Sequence, residues 1–287
     1  MTTMFGRPSE PITEAVHALS YRNYPSLVVA YPSEGDWQRL YDPHGSRGEA
    51  WARATHAEFK RGHERSVTEL LDAIVQKSTG QAILAELSAR SSFSVMILPF
   101  DFLPVRSWSP GTGAVTKATE WRAEWSAGVP ICGRTSEGKP FCYAWSGTGT
   151  GSSVDIYFTA RRHKGQESAD EVLLHELLHA SRKVKGVLYR MPMGGSYGNQ
   201  EEFLAVLAAN IYRSEKGLKR LFDYHGAPID PGSFLDSVSP SPRTVIALLR
   251  DKQPSLYAAL ARVDAPFNPV RQVDAEYSRL MKKIERI

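Results

Sequence analysis

His175-Glu176-Leu177-Leu178-His179 forms an H-E-x-x-H pattern in a chain of 287 residues. Imidazole and carboxylate are the ligands a zinc ion takes. At about 3.6 residues per turn, side chains four apart stack on one helix face. The two imidazoles can therefore converge on one ion, and Glu176 lies beside them, placed to take a proton from a water that the ion polarises. The chemistry this allows is hydrolysis: water attacks a carbonyl, and the glutamate passes the proton to the leaving nitrogen. Such a centre needs a third protein ligand and an open position. A third histidine at metzincin spacing is absent, because Ala180-Ser-Arg-Lys-Val-Lys185 follows the motif. The next histidine is His225, far downstream. Asn199-Gln-Glu-Glu-Phe-Leu-Ala205 supplies two carboxylates, Glu201 and Glu202. Helical phase does not separate them, since both flank the face formed by Phe203, Leu207 and Ile211, and both also suit the positive end of a helix. The oxyanion of the reaction needs a donor besides the ion. Tyr197, His225 and Tyr189 are the candidates.

These residues require elements that hold them still. Ser168-x-x-Glu171 is a capping box, the apolar run Val172, Leu173, Leu174, Leu177 and Leu178 follows, and Gly186 is a stop, so the motif is expected inside one capped helix. A second helix opens at Asn199 and runs to about Glu215, with Gly217 behind it. Ahead of the motif, Val154 to Thr159 reads as a strand, expected to form the cleft edge that pairs with an extended peptide. Ser146 to Ser152 has the glycines of a phosphate loop, but a strand follows where a phosphate loop needs a helix N-terminus, so it reads as a flexible turn. Helical pattern begins near Glu49 and strengthens over residues 66–88, and Phe93 to Pro99 reads as a buried strand. Asp36 to Gly48 reads as loop. Residues 1–65 are expected to be an N-terminal extension. Residues 66–287 are expected to form the catalytic domain, closed by helices at Pro242 to Leu249, Ser255 to Val263 and Val273 to Ile287. The fold class is α+β: a small mixed sheet packed on the two ligand-bearing helices, with extra helices at both ends.

His-Glu-Leu-Leu-His-Ala, followed by Asn-Gln-Glu-Glu-Phe-Leu-Ala-Val-Leu-Ala-Ala-Asn-Ile-Tyr-Arg-Ser-Glu-Lys-Gly over 199–217, resembles the NleD-type effector zinc metallopeptidases of Gram-negative bacteria. Gly147 to Phe158 is similar too. The resemblance covers about residues 66–235 and is specific around 147–226. It implies a compact zincin domain, one hydrolytic Zn2+ per chain, a glutamate as third ligand, and injection through a specialised secretion system rather than through a signal peptide. In glutamate-zincins a small residue commonly lies three positions after the ligand. Glu202 with Ala205 matches that, so the implied set is His175, His179 and Glu202, with Glu176 as the general base. A protein or peptide substrate follows, together with a cognate immunity or chaperone protein.

Composition narrows the alternatives. Hydrophobic residues make up 42% and charged residues 23%, enough apolar material for a core and against disorder. Net charge is +4 with no long basic run, the run Arg161-Arg162-His163-Lys164 being a solvated loop. Nucleic acid is therefore not expected as a partner. The start lacks an apolar signal segment, and Phe93 to Val105 is too short to span a bilayer. The two cysteines, Cys132 and Cys142, exclude a four-cysteine zinc site. A hairpin between them permits one bridge, and two reduced thiols are the alternative; a bridge favours an oxidising compartment. Two other readings stand beside the protease: a zinc hydrolase toxin acting on cell-wall peptide or periplasmic proteins of rival bacteria, and a non-catalytic basic binding module.

Overall fold

A computed structural model of the chain describes residues 17–42, 44–103, 114–118, 131–134, 140–144, 149–160, 168–236 and 238–284. The basic run 161–164, the start of the chain and residues 146–148 of the glycine-rich segment lie outside the described residues. The chain is an α+β protein built on a five-stranded mixed sheet of order β1-β2-β3-β7-β4. Its strands are β1 (His17–Tyr21), β2 (Tyr24–Tyr31), β3 (Val95–Pro99), β4 (Ala114–Ala118) and β7 (Val154–Phe158). A separate hairpin, β5 (Ile131–Arg134) with β6 (Pro140–Ala144), sets Cys132 opposite Cys142 in backbone register. The helices are α1 (Glu34–Tyr41), α2 (Glu49–Val75), α3 (Ser78–Ser88), α4 (Ala169–Lys185), α5 (Gln200–Glu215), α6 (Pro242–Lys252), α7 (Pro254–Arg262) and α8 (Pro269–Ile284). None is long and apolar enough to cross a membrane, among the described residues.

β2, β3 and β7 run parallel, while β1 and β4 are antiparallel to their neighbours. The parallel strands read as near-continuous apolar runs, which is what burial on both faces selects. One face carries Leu27, Val29, Val95, Ile97, Val154, Ile156 and Phe158 into a core shared with α2, α3, α4 and α5. The other face turns Ala30, Leu98 and Tyr157 toward Trp37 and Leu40 of α1 and Ala52 of α2.

Three expectations are corrected by this topology. Residues 17–65 are not an extension: they supply β1 and β2, and α2 runs unbroken across position 65. β2 escaped because a strand buried on both faces has no alternation to read. Asp36 to Tyr41 is not loop but most of α1, capped by Ser33, whose Oγ accepts from the Asp36 N–H at 3.2 Å. With only Trp37 and Leu40 buried, its periodic signal is short. Finally, β7 is not the cleft edge. Ile156 pairs with Ile97 on one side and Thr116 on the other, so the outer strand beside α4, among the described residues, is β4.

The described part of the glycine-rich segment holds the end of α4. Gly149 N–H donates to Gly186 O at 2.8 Å and Ser152 N–H to Lys183 O at 3.3 Å. Gly186 closes α4 at φ +64°. Gly151 sits at φ +74°, and a Cβ there would stand 1.8 Å from Val184 O. Gly151→Ala is therefore expected to cost at least the roughly 1–3 kcal/mol of a strained backbone, read as a lower urea midpoint. An unchanged midpoint would show that this segment does not hold α4.

Candidate metal centre

α4 and α5 lie antiparallel, each end of one pinned to the opposite end of the other. At the start of α4 the capping box forms, Ser168 N–H donating to Glu171 Oε2 at 3.1 Å. There Arg213 Nη1 meets Glu171 Oε2 at 2.5 Å, and Lys216 Nζ and the Tyr212 hydroxyl both reach Asp170 Oδ2, at 2.8 and 2.7 Å. Acids at the first turn of α4 and cations at the last turn of α5 suit both helix dipoles. The chain returns from α4 to α5 through a short hairpin, β8 (Pro192–Met193) with β9 (Gly198–Asn199). Asn199 then caps α5, its Oδ1 accepting from the N–H groups of Glu201 and Glu202 at 3.0 and 3.1 Å. The Asn199 N–H donates to Tyr197 O at 2.8 Å, so it does not engage the Glu202 carboxylate in a capping box.

His175, His179 and Glu202 come together. The two imidazole Nε2 atoms are 3.1 Å apart, and Glu202 Oε2 lies 3.3 Å from each. Three ligands placed tetrahedrally at about 2.0–2.1 Å from one ion must be about 3.3–3.4 Å from one another. The donor set therefore fits zinc in both type and spacing. It is largely buried, with side-chain exposures of 14%, 8% and 18% for His175, His179 and Glu202. Burial pushes the Glu202 carboxyl up, but His179 and His175 outweigh it and hold the group well below the usual carboxylate range.

Glu201 points elsewhere. It is fully buried and takes both Nε and Nη2 of Arg182, at 2.6 and 2.7 Å. It also accepts the Tyr189 N–H. Arg182, itself 1% exposed, completes its donors on Gln253 Oε1 at 2.5 Å and Val187 O at 2.9 Å. Burial raises the Glu201 carboxyl, and the charge and hydrogen bonds of Arg182 more than offset it, so the net direction is down. The available signal was Arg182, seven residues after His175 and on the same face of α4: a cation there needs a buried acid, which takes one of the two glutamates.

Glu176 is buried on the side of α4 facing the sheet edge, where the Thr116 hydroxyl of β4 donates to its Oε2. Sequence reasoning missed Thr116, since nothing local ties a threonine to a glutamate so far along the chain. Of the three proposed oxyanion donors, Tyr197 packs edge-on against Phe203, ring centroids 5.1 Å apart. Burial, then the charge of Asp223, pushes its hydroxyl up to about 12. Tyr189 contributes its backbone to Glu201, and His225 is exposed. Among the described residues, Tyr224 is an aromatic side chain at the imidazoles, its ring 6.3 Å from that of His175 and 5.4 Å from that of His225. Comparison with protein-family models, curated proteins and solved structures gives no match for this chain.

Proposed function

We propose that the chain is a zinc-dependent metalloprotease of zincin-like design, with His175, His179 and Glu202 as ligands and Glu176 as the general base. The observation that carries this reading is the spacing of the three ligand atoms, 3.1–3.3 Å, on two pinned helices. When bound, zinc polarises a water and the substrate carbonyl and stabilises the charge that develops there. Glu176 takes the proton and returns it to the leaving nitrogen. Thr116 fixes the direction of that carboxylate. Peptide is the substrate class that suits the surroundings: among the described residues β4 is the outer strand beside α4, and an extended chain adds to a strand edge through its backbone. Resemblance to the NleD-type effectors supports delivery by a specialised secretion system. The Cys132↔Cys142 register favours a second reading, a hydrolase acting in an oxidising periplasm, because it permits a bridge there.

Metal content of the purified protein, by plasma mass spectrometry, tests the centre. About one zinc per chain is expected in the wild type and none in His175→Ala/His179→Ala. No zinc in either protein after zinc is supplied removes the hydrolase reading.

A further inference from the structure

Among the described residues, helix α8 is anchored along its first half. Val270 and Val273 are buried, Asn268 Oδ1 accepts the Arg271 N–H at 3.0 Å, Arg243 of α6 pairs with Glu276, and the Arg250 guanidinium of α6 lies 3.9 Å over the Tyr277 ring, leaving the ring's other side and the turns beyond it open. From Ala275 to Ile284 every residue is exposed. This stretch is amphipathic. Tyr277, Leu280, Met281 and Ile284 follow the i, i+3, i+4, i+7 pattern of one face, at 40%, 55%, 37% and 54% exposure. Arg279, Lys282 and Lys283 lie on the other side, and no acid falls between Tyr277 and Ile284. Residues 242–284 hold eight basic and four acidic residues, an excess equal to the whole chain's net charge of +4. The body that carries the metal centre is thus close to neutral, and half of the excess falls in the exposed stretch 275–284, where Arg279, Lys282 and Lys283 face the single acid Glu276.

We infer that α8 docks on an anionic lipid surface, with its apolar stripe in the interface and its cations among the headgroup phosphates. A basic helix with a strong apolar face and low mean hydropathy is built to lie in the plane of a membrane. Charge decides against a second copy in parallel, which would set the cations of the two helices side by side. Size argues the same way. The stripe covers less than two heptads, where a coiled coil needs about three or four. Four partly exposed side chains also fall short of the roughly 800 Å² per partner that a stable dimer buries. The inference is independent of the metal.

The test is co-sedimentation of the full chain with vesicles of phosphatidylcholine alone or with phosphatidylserine added. The wild type is expected to partition about tenfold or more in favour of the anionic vesicles, and to release as salt rises. Leu280→Glu/Ile284→Glu and, separately, Lys282→Glu/Lys283→Glu are each expected to lose that binding. All four positions are exposed, so zinc content and thermal melting should stay at wild-type values and exclude misfolding. Equal partition onto both vesicle types, no binding, or binding unchanged in both variants overturns the inference. A dimer in vesicle-free ultracentrifugation that Leu280→Glu/Ile284→Glu abolishes also overturns it, and assigns the stripe to a second copy.

Discussion

Glu201→Ala is expected to destabilise the protein by about 3–5 kcal/mol, because it leaves the Arg182 guanidinium buried without its counter-charge. The two hydrogen bonds to Gln253 and Val187 remain, but both acceptors are neutral and supply no counter-charge. Glu202→Ala should behave oppositely. It leaves the unfolding of zinc-free protein close to wild type and abolishes metal binding, because it removes one of the ligand atoms that lie 3.1–3.3 Å apart. Urea unfolding in chelator and zinc stoichiometry, measured on both variants, separate the two roles. Zinc retained in Glu202→Ala but lost from a folded Glu201→Ala would reverse the assignment. The pH dependence follows with a definite sign. Glu201 has its carboxyl lowered in the folded state, so its contribution is present above the ordinary carboxylate pKa. It is lost as pH falls through the depressed folded value. Glu201→Ala should therefore flatten the acid limb of the stability curve.

The second large effect concerns rate. Glu176→Gln is expected to keep about one zinc per chain and to lose roughly 10²–10⁴-fold in peptide hydrolysis, the range that general acid–base groups contribute. The amide keeps the shape of the side chain, and its oxygen can still accept from Thr116, but it takes no proton at neutral pH. A peptide library cleaved by the wild type supplies the substrate for this comparison. Wild-type rates in the variant would remove Glu176 from the mechanism. Thr116→Val, which deletes the hydroxyl and keeps the bulk, should lower the rate less than Glu176→Gln, with zinc content unchanged.

The part of the protein that carries the candidate ligands was legible because its signals are local. Ser168, Glu171 and Gly186 bound one helix through interactions within a few residues, and the expected limits of α4 match the observed ones. Asn199 and Gly217 did the same for α5. The choice between Glu201 and Glu202 was not local. Both leave the same turn, and what parts them is Arg182 on the neighbouring helix, reached only once α4 and α5 lie antiparallel. Part of the sheet was hidden for another reason. β3 and β7 read as strands from their short apolar runs, but β2, covered on both faces, shows no alternation and begins with Tyr24-Pro25-Ser26, so it went unread. The position of β4 at the edge depends on pairing β4 with β7 across an intervening segment, and no residue pattern encodes that partner.

The strand order has a consequence for the sequence of events in folding. β4 precedes β7 in the chain but pairs with it, and among the described residues β7 is its one strand neighbour. As the chain leaves the ribosome, β4 emerges with nothing to pair against, while β1, β2 and β3 can already associate. The sheet therefore closes outward, and Thr116 reaches Glu176 only after α4 has docked beside both strands. A chain caught part-way through synthesis therefore holds β1, β2 and β3 without the Thr116–Glu176 contact, which forms only once β4, β7 and α4 have joined them.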